Sequence, residues 1–169
     1  GRAADFARLA KLLAKGGDKA KAVETINEGA AKYGSPADLI ALSGAMAEID
    51  PAAAGALYDK ALDSAKDFTA LMQVLAAAAG NAEFTKAVLA KAGAVAGVSG
   101  ELIQLVGAYA GLGDATGVTD MLTKAEESVA NLDEMRKVVE AVEKYAAADA
   151  ARLERVKTKL AKREANQAK

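Results

Sequence analysis

Apolar residues recur at three- and four-residue spacing along almost the whole chain, and short polar turns interrupt them at regular intervals. Such spacing keeps the apolar side chains on one face of an α-helix. Alternating runs of Val, Ile and Thr, which would indicate strands, do not occur. The pattern predicts an all-α protein. The predicted helices cover residues 3–15, 18–33, 36–48, 51–65, 67–79, 82–95, 100–112, 115–129, 132–147 and 149–166.

Polar residues mark where these helices begin. Ser35 precedes Pro36, and Asp50 precedes Pro51, so each pair offers a side-chain cap followed by a residue whose missing N–H costs nothing in the first turn. Asn131 and Glu134 have the spacing of a capping box, in which Glu134 reaches back to the Asn131 amide. The loops are only a few residues long, which favours antiparallel hairpins. Further caps are predicted at Asp67, Asn81, Ser99 and Asp114.

One turn returns along the chain with a nearly constant period. It occurs at Gly17-Asp18, Asp50-Pro51, Gly80-Asn81 and Gly113-Asp114, at intervals of 32, 31 and 33 residues. A period of about 32 residues indicates stacked helix pairs. After each turn, the positions four, eight and eleven residues later carry mostly a small, a larger and a small residue on one helix face. These positions are Ala22, Ile26 and Gly29; Ala54, Tyr58 and Ala61; Thr85, Leu89 and Ala92; and Val118, Leu122 and Ala125.

The first helices of the pairs also share a pattern. Phe6, Leu9, Ala10 and Leu13 match Leu102, Leu105, Val106 and Tyr109 at the same spacing. The stretch from Leu102 to Ala125, LIQLVGAYAGLGDATGVTDMLTKA, resembles the tetratricopeptide repeat, and LYDKAL at 57–62 is similar to the second helix of that family. The family's Trp and most of its closing prolines are absent, so a related helix-pair solenoid is the alternative.

The resemblance implies a right-handed α-solenoid of antiparallel hairpins and a single repeat domain over residues 1–169. Its helix-pair repeats would span residues 3–33, 36–65, 67–97 and 100–130, and residues 131–169 would form a C-terminal helix pair that caps the array. The repeats differ too much from one another for an idealised consensus design.

The amino-acid composition excludes several common kinds of catalytic site. The chain contains no Cys and no His, which excludes thiolate nucleophiles, Cys/His zinc sites and the commonest general base. Asp59, Asp63 and Asp67 are spaced one turn apart, but a solvated face and a helix cap explain them. The glycine clusters lack the strand or the Lys-Ser/Thr ending of a phosphate-binding loop. We therefore predict a non-enzymatic protein with no catalytic residue, no cofactor and no metal.

Charge is unevenly distributed although the chain carries only −1 overall. Residues 1–35 have seven basic and four acidic side chains, residues 36–150 have eight and seventeen, and residues 151–169 have seven and two. The acidic middle argues against a nucleic-acid surface. The longest apolar run is too short to cross a bilayer, so no transmembrane segment is expected. The sequence does not choose between a cytoplasmic and an exported protein.

Tetratricopeptide arrays usually bind extended or helical peptides on the concave face formed by their first helices, and the resemblance implies a protein or peptide partner here. The lining beyond the first repeat is small and apolar, which favours an apolar or helical segment. The alternative is a structural subunit that self-associates into a homo-oligomer or a larger assembly. The last helix is basic and amphipathic, which suits a cap, or else a docking element for an acidic partner or an anionic membrane surface. The predicted partner-binding residues are Lys11, Lys15, Leu39, Ser43, Met46, Val74, Ile103 and Gly107.

Overall fold

Helices make up most of the computed structural model, which describes residues 2–77 and 81–167. The predicted helices are confirmed, with bounds that agree to within about two residues. The predicted end of the fifth helix and the turn residue Gly80 lie outside the described residues. Within the described ranges there are ten helices and no strands. The helices are α1 (Ala3–Lys15), α2 (Lys19–Lys32), α3 (Pro36–Ile49), α4 (Pro51–Ser64), α5 (Phe68–Ala77), α6 (Ala82–Val95), α7 (Ser99–Gly111), α8 (Ala115–Ser128), α9 (Leu132–Tyr145) and α10 (Ala150–Gln167).

Helix contacts divide the chain into two compact units, Gly1–Lys91 and Ala92–Lys169. In the first unit α1 packs on α2 and α3, and α3 packs in turn on α4 and α5. In the second unit α7 packs on α8 and α9, and α9 packs on α8 and α10. Each unit is therefore an all-α stack of helix hairpins, as in an α-solenoid. The boundary between the units falls inside α6, and a single repeat domain over the whole chain stays a prediction.

The recurring turn works as a side-chain cap. Asp18 Oδ1 accepts a hydrogen bond of 3.0 Å from the Lys21 amide, and Asp114 Oδ1 accepts one of 2.9 Å from the Gly117 amide. Asp50 Oδ1 likewise accepts hydrogen bonds from the amides of Ala52 and Ala53. These bonds satisfy amide groups that have no partner within the helix, so the polar residue fixes where the second helix begins. Asn81, Asp67 and Ser35 also cap their helices as predicted.

Two predicted caps are corrected. Helix α7 begins at Ser99 itself, and the buried Ser99 hydroxyl accepts no hydrogen bond from a helix amide. Instead, the Glu101 carboxylate accepts a hydrogen bond of 2.9 Å from the Gly97 amide. At the start of α9, Asn131 accepts the Glu134 amide as expected. The Glu134 carboxylate, however, accepts hydrogen bonds from the backbone amide of Ala130 and the side-chain Nδ2 of Asn131 rather than from the backbone amide of Asn131. The hydrogen bond from Ala130 is the main reason that the pKa of Glu134 is lowered.

The stripe of small and larger residues on the second helices is buried. Ile26, Leu89 and Leu122 have no exposed surface, and the flanking Ala22, Ala61, Ala92 and Ala125 are equally inaccessible. Only Tyr58 and Thr85 among the predicted positions are half-buried. A glycine occupies the tightest contact in two hairpins. A Cβ atom on Gly29 would stand 2.9 Å from Phe6 Cβ, and one on Gly117 would overlap the Tyr109 ring.

The first helices are less equivalent than their sequences predict. Leu105 of α7 is completely buried, and its Cδ1 lies 3.9 Å from the point where a Cβ of Gly93 in α6 would stand. The matching residue of α1, Leu9, is 50% exposed. The shared spacing of Leu9 and Leu105 therefore does not give them the same environment, since Leu105 faces the end of α6 and Leu9 faces solvent.

The close approach of the paired helices predicts opposite effects for two kinds of glycine. We expect Gly117→Ala to lower the free energy of unfolding by about 1–3 kcal/mol, because Tyr109 must move to admit the new methyl group. Urea denaturation followed by circular dichroism measures this change.

Gly55 in α4 is the matched control, since no atom lies within 4 Å of a Cβ added there. Gly55→Ala should raise the free energy of unfolding by about 0.5–1 kcal/mol through the lower backbone entropy of the unfolded chain. Destabilisation by both substitutions to the same extent would contradict the assignment of Gly117 to a tight helix contact.

Candidate interaction surfaces

Half of the predicted partner-binding residues are inaccessible. Leu39, Met46 and Val74 are at most 4% exposed, and Ser43 is fully buried with its hydroxyl bonded to the Leu39 carbonyl oxygen at 2.7 Å. Helix α3 contacts α1, α2, α4 and α5, so most of its surface is covered. Its apolar side chains, which were predicted to line a groove, therefore belong to the core. The prediction is corrected at these four positions.

Ile103 lines a groove between the first helices of the second unit, and Gly107 lies on the same helix against the Tyr145 hydroxyl. Helix α7 contributes Gly100, Ile103 and Gln104 to the groove, and α9 contributes Lys137, Glu140, Ala141, Lys144 and Tyr145. The groove has a volume of about 360 Å³. We name it the α7–α9 groove. Its apolar wall is Ile103, which is half-buried and keeps surface free for a partner.

Tyr145 gives the α7–α9 groove its shape. Its hydroxyl oxygen lies 3.1 Å from the point where a Gly107 Cβ would stand, so the absence of a side chain at Gly107 makes room for the tyrosine. The Lys144 ammonium lies 4.9 Å from the centroid of the same ring, at a distance typical of a cation–π contact. The groove therefore presents an aromatic ring with a cation beside it, next to an aliphatic side chain.

Lys11 and Lys15 line a second groove, between α1 and α3 of the first unit. Ala7, Arg8 and Leu12 also line it from α1, and Ala41 lines it from α3; its volume is about 420 Å³. We name it the α1–α3 groove. Lys11 bonds Glu48 of α3, whereas Lys15 forms no ion pair with any described residue. The two grooves occupy corresponding places, since each separates the first helices of neighbouring hairpins.

Several residues that line the grooves were not predicted from the sequence. The sequence did not single out Tyr145, because its contact with Gly107 joins two helices that are far apart in the chain. Lys144 and Arg8 were not singled out either. Leu12 is 61% exposed, and its apolar character favoured the core. The available signal was the helical spacing of Arg8, Leu12 and Lys15, which places them on one side of α1.

Ion pairs between the basic last helix, α10, and Glu126 of α8 hold α10 against the rest of the second unit. Glu126 of α8 has a side chain only 5% exposed, and three cations of α10 surround it. Arg152 Nε lies 3.2 Å from Glu126 Oε1, Arg155 Nη2 lies 2.9 Å from Oε2, and Lys159 Nζ lies 3.9 Å away. Arg152 also donates hydrogen bonds to the Thr119 carbonyl and the Thr123 hydroxyl. This arrangement favours the cap over a free cationic docking helix.

Two of the carboxylates that are spaced one turn apart have partners of their own. Asp67 accepts the Ala70 amide as a cap, and Asp63 lies 3.9 Å from Lys91. In residues 2–77 and 81–167, no group of His, Cys, Asp or Glu side chains has the arrangement of a metal site. No helix in those same ranges is both long enough and apolar enough to cross a bilayer.

Breaking the ion pair at Glu126 should be costly. We expect Glu126→Ala to lower the free energy of unfolding of the second unit by about 3–5 kcal/mol, because the largely buried Arg152 guanidinium would lose its counter-charge. Thermal and urea denaturation measure the loss, and the exposed neighbour Glu127→Ala is the control. Equal effects of the two substitutions would show that the cluster does not hold α10.

Comparisons with known proteins add a likeness but no family. No protein-family model matches the chain, and no curated protein matches it. Among solved structures, the chain is similar to one described as "MamA RS-1 ArsTM double mutant". The match has 19% sequence identity, covers 99% of this chain and 97% of that chain, and has a TM-score of 0.44. At this identity and TM-score, the likeness does not assign a function.

Proposed function

We propose that this protein is a non-enzymatic interaction module, similar to tetratricopeptide arrays, that binds a peptide or helical segment of another protein. The observation that carries the proposal is the α7–α9 groove, where Ile103, Tyr145 and Lys144 offer apolar, aromatic and cationic contacts within one recess. Peptide-binding sites of this kind combine an apolar anchor with a few polar groups that fix orientation. The absence of His and Cys from the chain agrees with a binding role.

The geometry suggests how such a segment would be held. An apolar side chain of the partner would enter between Ile103 and the Tyr145 ring, which both line the groove. Lys137 and Lys144 stand at the rim, where they would attract a carboxylate of the partner and fix its direction. Glu140 lies in the same lining and would disfavour a second carboxylate close to it.

Selection from a displayed peptide library tests the groove directly. Peptides enriched on the protein should bind Ile103→Glu and Tyr145→Ala at least about tenfold more weakly, because truncating a central anchor typically costs more than 1.4 kcal/mol. Titration calorimetry with the enriched peptides measures the affinities. Met46→Glu is unsuitable as a surface variant, since Met46 is only 2% exposed.

Lys60→Glu on the exposed side of α4 is the control for non-specific charge effects. It should leave the affinity unchanged. If the enriched peptides bind Ile103→Glu and Tyr145→Ala as tightly as the parent protein, the α7–α9 groove is not the binding site.

Self-association is the second candidate function, and the charge distribution is the observation in its favour. The basic residues 1–35 and the strongly acidic residues 36–150 of two copies would attract each other. The cations of α10 contribute less than their number implies, because Arg152 and Arg155 already meet Glu126.

Light scattering over a salt series distinguishes the two functions. If the protein self-associates through its charges, the average particle mass should fall as the salt concentration rises, because exposed charges are screened beyond about 10 Å at 0.1 M salt. A mass equal to one chain at every protein concentration and at low salt would contradict the structural-subunit function and leave the interaction module.

A further inference from the structure

The outer side of α1 carries an unusual pair of leucines. Leu9 is 50% exposed and Leu12 is 61% exposed. They are the only large hydrophobic residues of the first unit that are strongly exposed among its described residues. They are three positions apart, so they lie side by side on the helix. We call Leu9, Leu12, Arg8 and Lys15 together the α1 face.

The second unit shows what occupies the corresponding position. Leu105 of α7 matches Leu9 of α1, and it is completely buried where α6 approaches with Gly93. In the second unit, the end of α6 thus lies beside the position that Leu9 leaves open in the first unit. By this comparison, a helix is the shape that fits beside Leu9.

Charge identifies the chemistry of that neighbour. Arg8 lies 4.0 Å from Asp5, at the limit of an ion pair, and its side chain is 79% exposed. Lys15 and Lys19 form no ion pair with any residue in the described part of the chain, and both are exposed. The lining of the adjoining α1–α3 groove contains three cations and no carboxylate. Of the three, Lys11 is already paired with Glu48, which also lines a recess beside Lys15 and Lys19. Arg8 and Lys15 are the groove cations left to meet a carboxylate of a partner.

We propose that the α1 face docks an acidic amphipathic helix of another protein. Its apolar side chains would cover Leu9 and Leu12, and its carboxylates would face Arg8, Lys15 and Lys19. The mode is that of a helix laid against an apolar stripe with anchors at three- and four-residue spacing. This surface is separate from the α7–α9 groove, and it specifies a partner chemistry that the proposed function leaves open.

A protein helix fits this surface better than a lipid bilayer. Membrane-surface helices insert a broad apolar face. The α1 face offers only two leucines, and beside them lies a recess lined by Ala7 and Ala41 that accepts side chains. The recess and the matching position on α7 both point to a packed helix.

The probe is a synthetic acidic amphipathic peptide with leucines at alternating three- and four-residue spacing and with Glu and Ala elsewhere. Its matched control has Gln in place of every Glu. Fluorescence anisotropy with the full chain should show binding of the Glu peptide and at least about tenfold weaker binding of the Gln peptide. Raising the salt concentration should weaken binding of the Glu peptide.

Substitutions locate the site. Leu12→Ser and the double variant Arg8→Glu with Lys15→Glu should each weaken binding of the Glu peptide at least about tenfold. All three side chains are exposed or bordering solvent, so circular dichroism should show an unchanged helix content. Lys60→Glu carries a charge reversal on another helix of the same unit and should leave the affinity unchanged.

Each contrary outcome is distinct. Equal binding of the Glu and Gln peptides, or full binding by both α1 variants, would overturn the proposal. Loss of binding in Ile103→Glu alone would move the peptide to the α7–α9 groove, so the interaction module would stand and the α1 face would not. Sedimentation of the protein with phosphatidylserine vesicles, abolished by Leu12→Ser, in the absence of peptide binding would assign the face to a membrane. Concentration-dependent dimerisation abolished by Leu12→Ser, again without peptide binding, would assign it to a second copy.

Discussion

The close approach of the two helices within a hairpin is the constraint on which the rest of this structure depends. Gly29 stands against Phe6, and Gly117 stands against Tyr109, with no room for even one added carbon. Alanines occupy most of the other contact positions, so backbones come near one another without large side chains between them. Short loops and side-chain caps at Asp18, Asp50 and Asp114 are compatible only with helices that turn back at once.

Thin helix interfaces have consequences for the surface. Small side chains bury little area each, so stability depends on accurate placement of many contacts rather than on a few large residues. The same small residues leave recesses where neighbouring first helices diverge. Gly100 and Ala141 line the α7–α9 groove, and Ala7 and Ala41 line the α1–α3 groove. The features that let the hairpins form thus also create the places where a partner would fit.

The two basic ends of the chain have different roles despite similar composition. The cations of α10 converge on the buried Glu126 carboxylate, where they compensate a charge that would otherwise be costly to bury. The cations of α1 and the start of α2 have only weak or distant counter-charges, apart from Lys11. Charge serves internal cohesion at one end and remains available to a partner at the other.

The sequence by itself determined the local structure. Helix bounds, the caps at Asp18 and Asp50, and the buried stripe at Ile26 and Leu122 follow from periodicity and from hydrogen-bonding rules that act within a few residues. Only the tertiary structure decided which apolar residues are exposed. Leu9 and Leu105 have the same local pattern, but only the latter meets a neighbouring helix, and Met46 faces the core because other helices surround α3. The placement of Tyr145 over Gly107 and the burial of Glu126 beneath Arg152 likewise depend on contacts between residues far apart in the chain, which local periodicity does not encode.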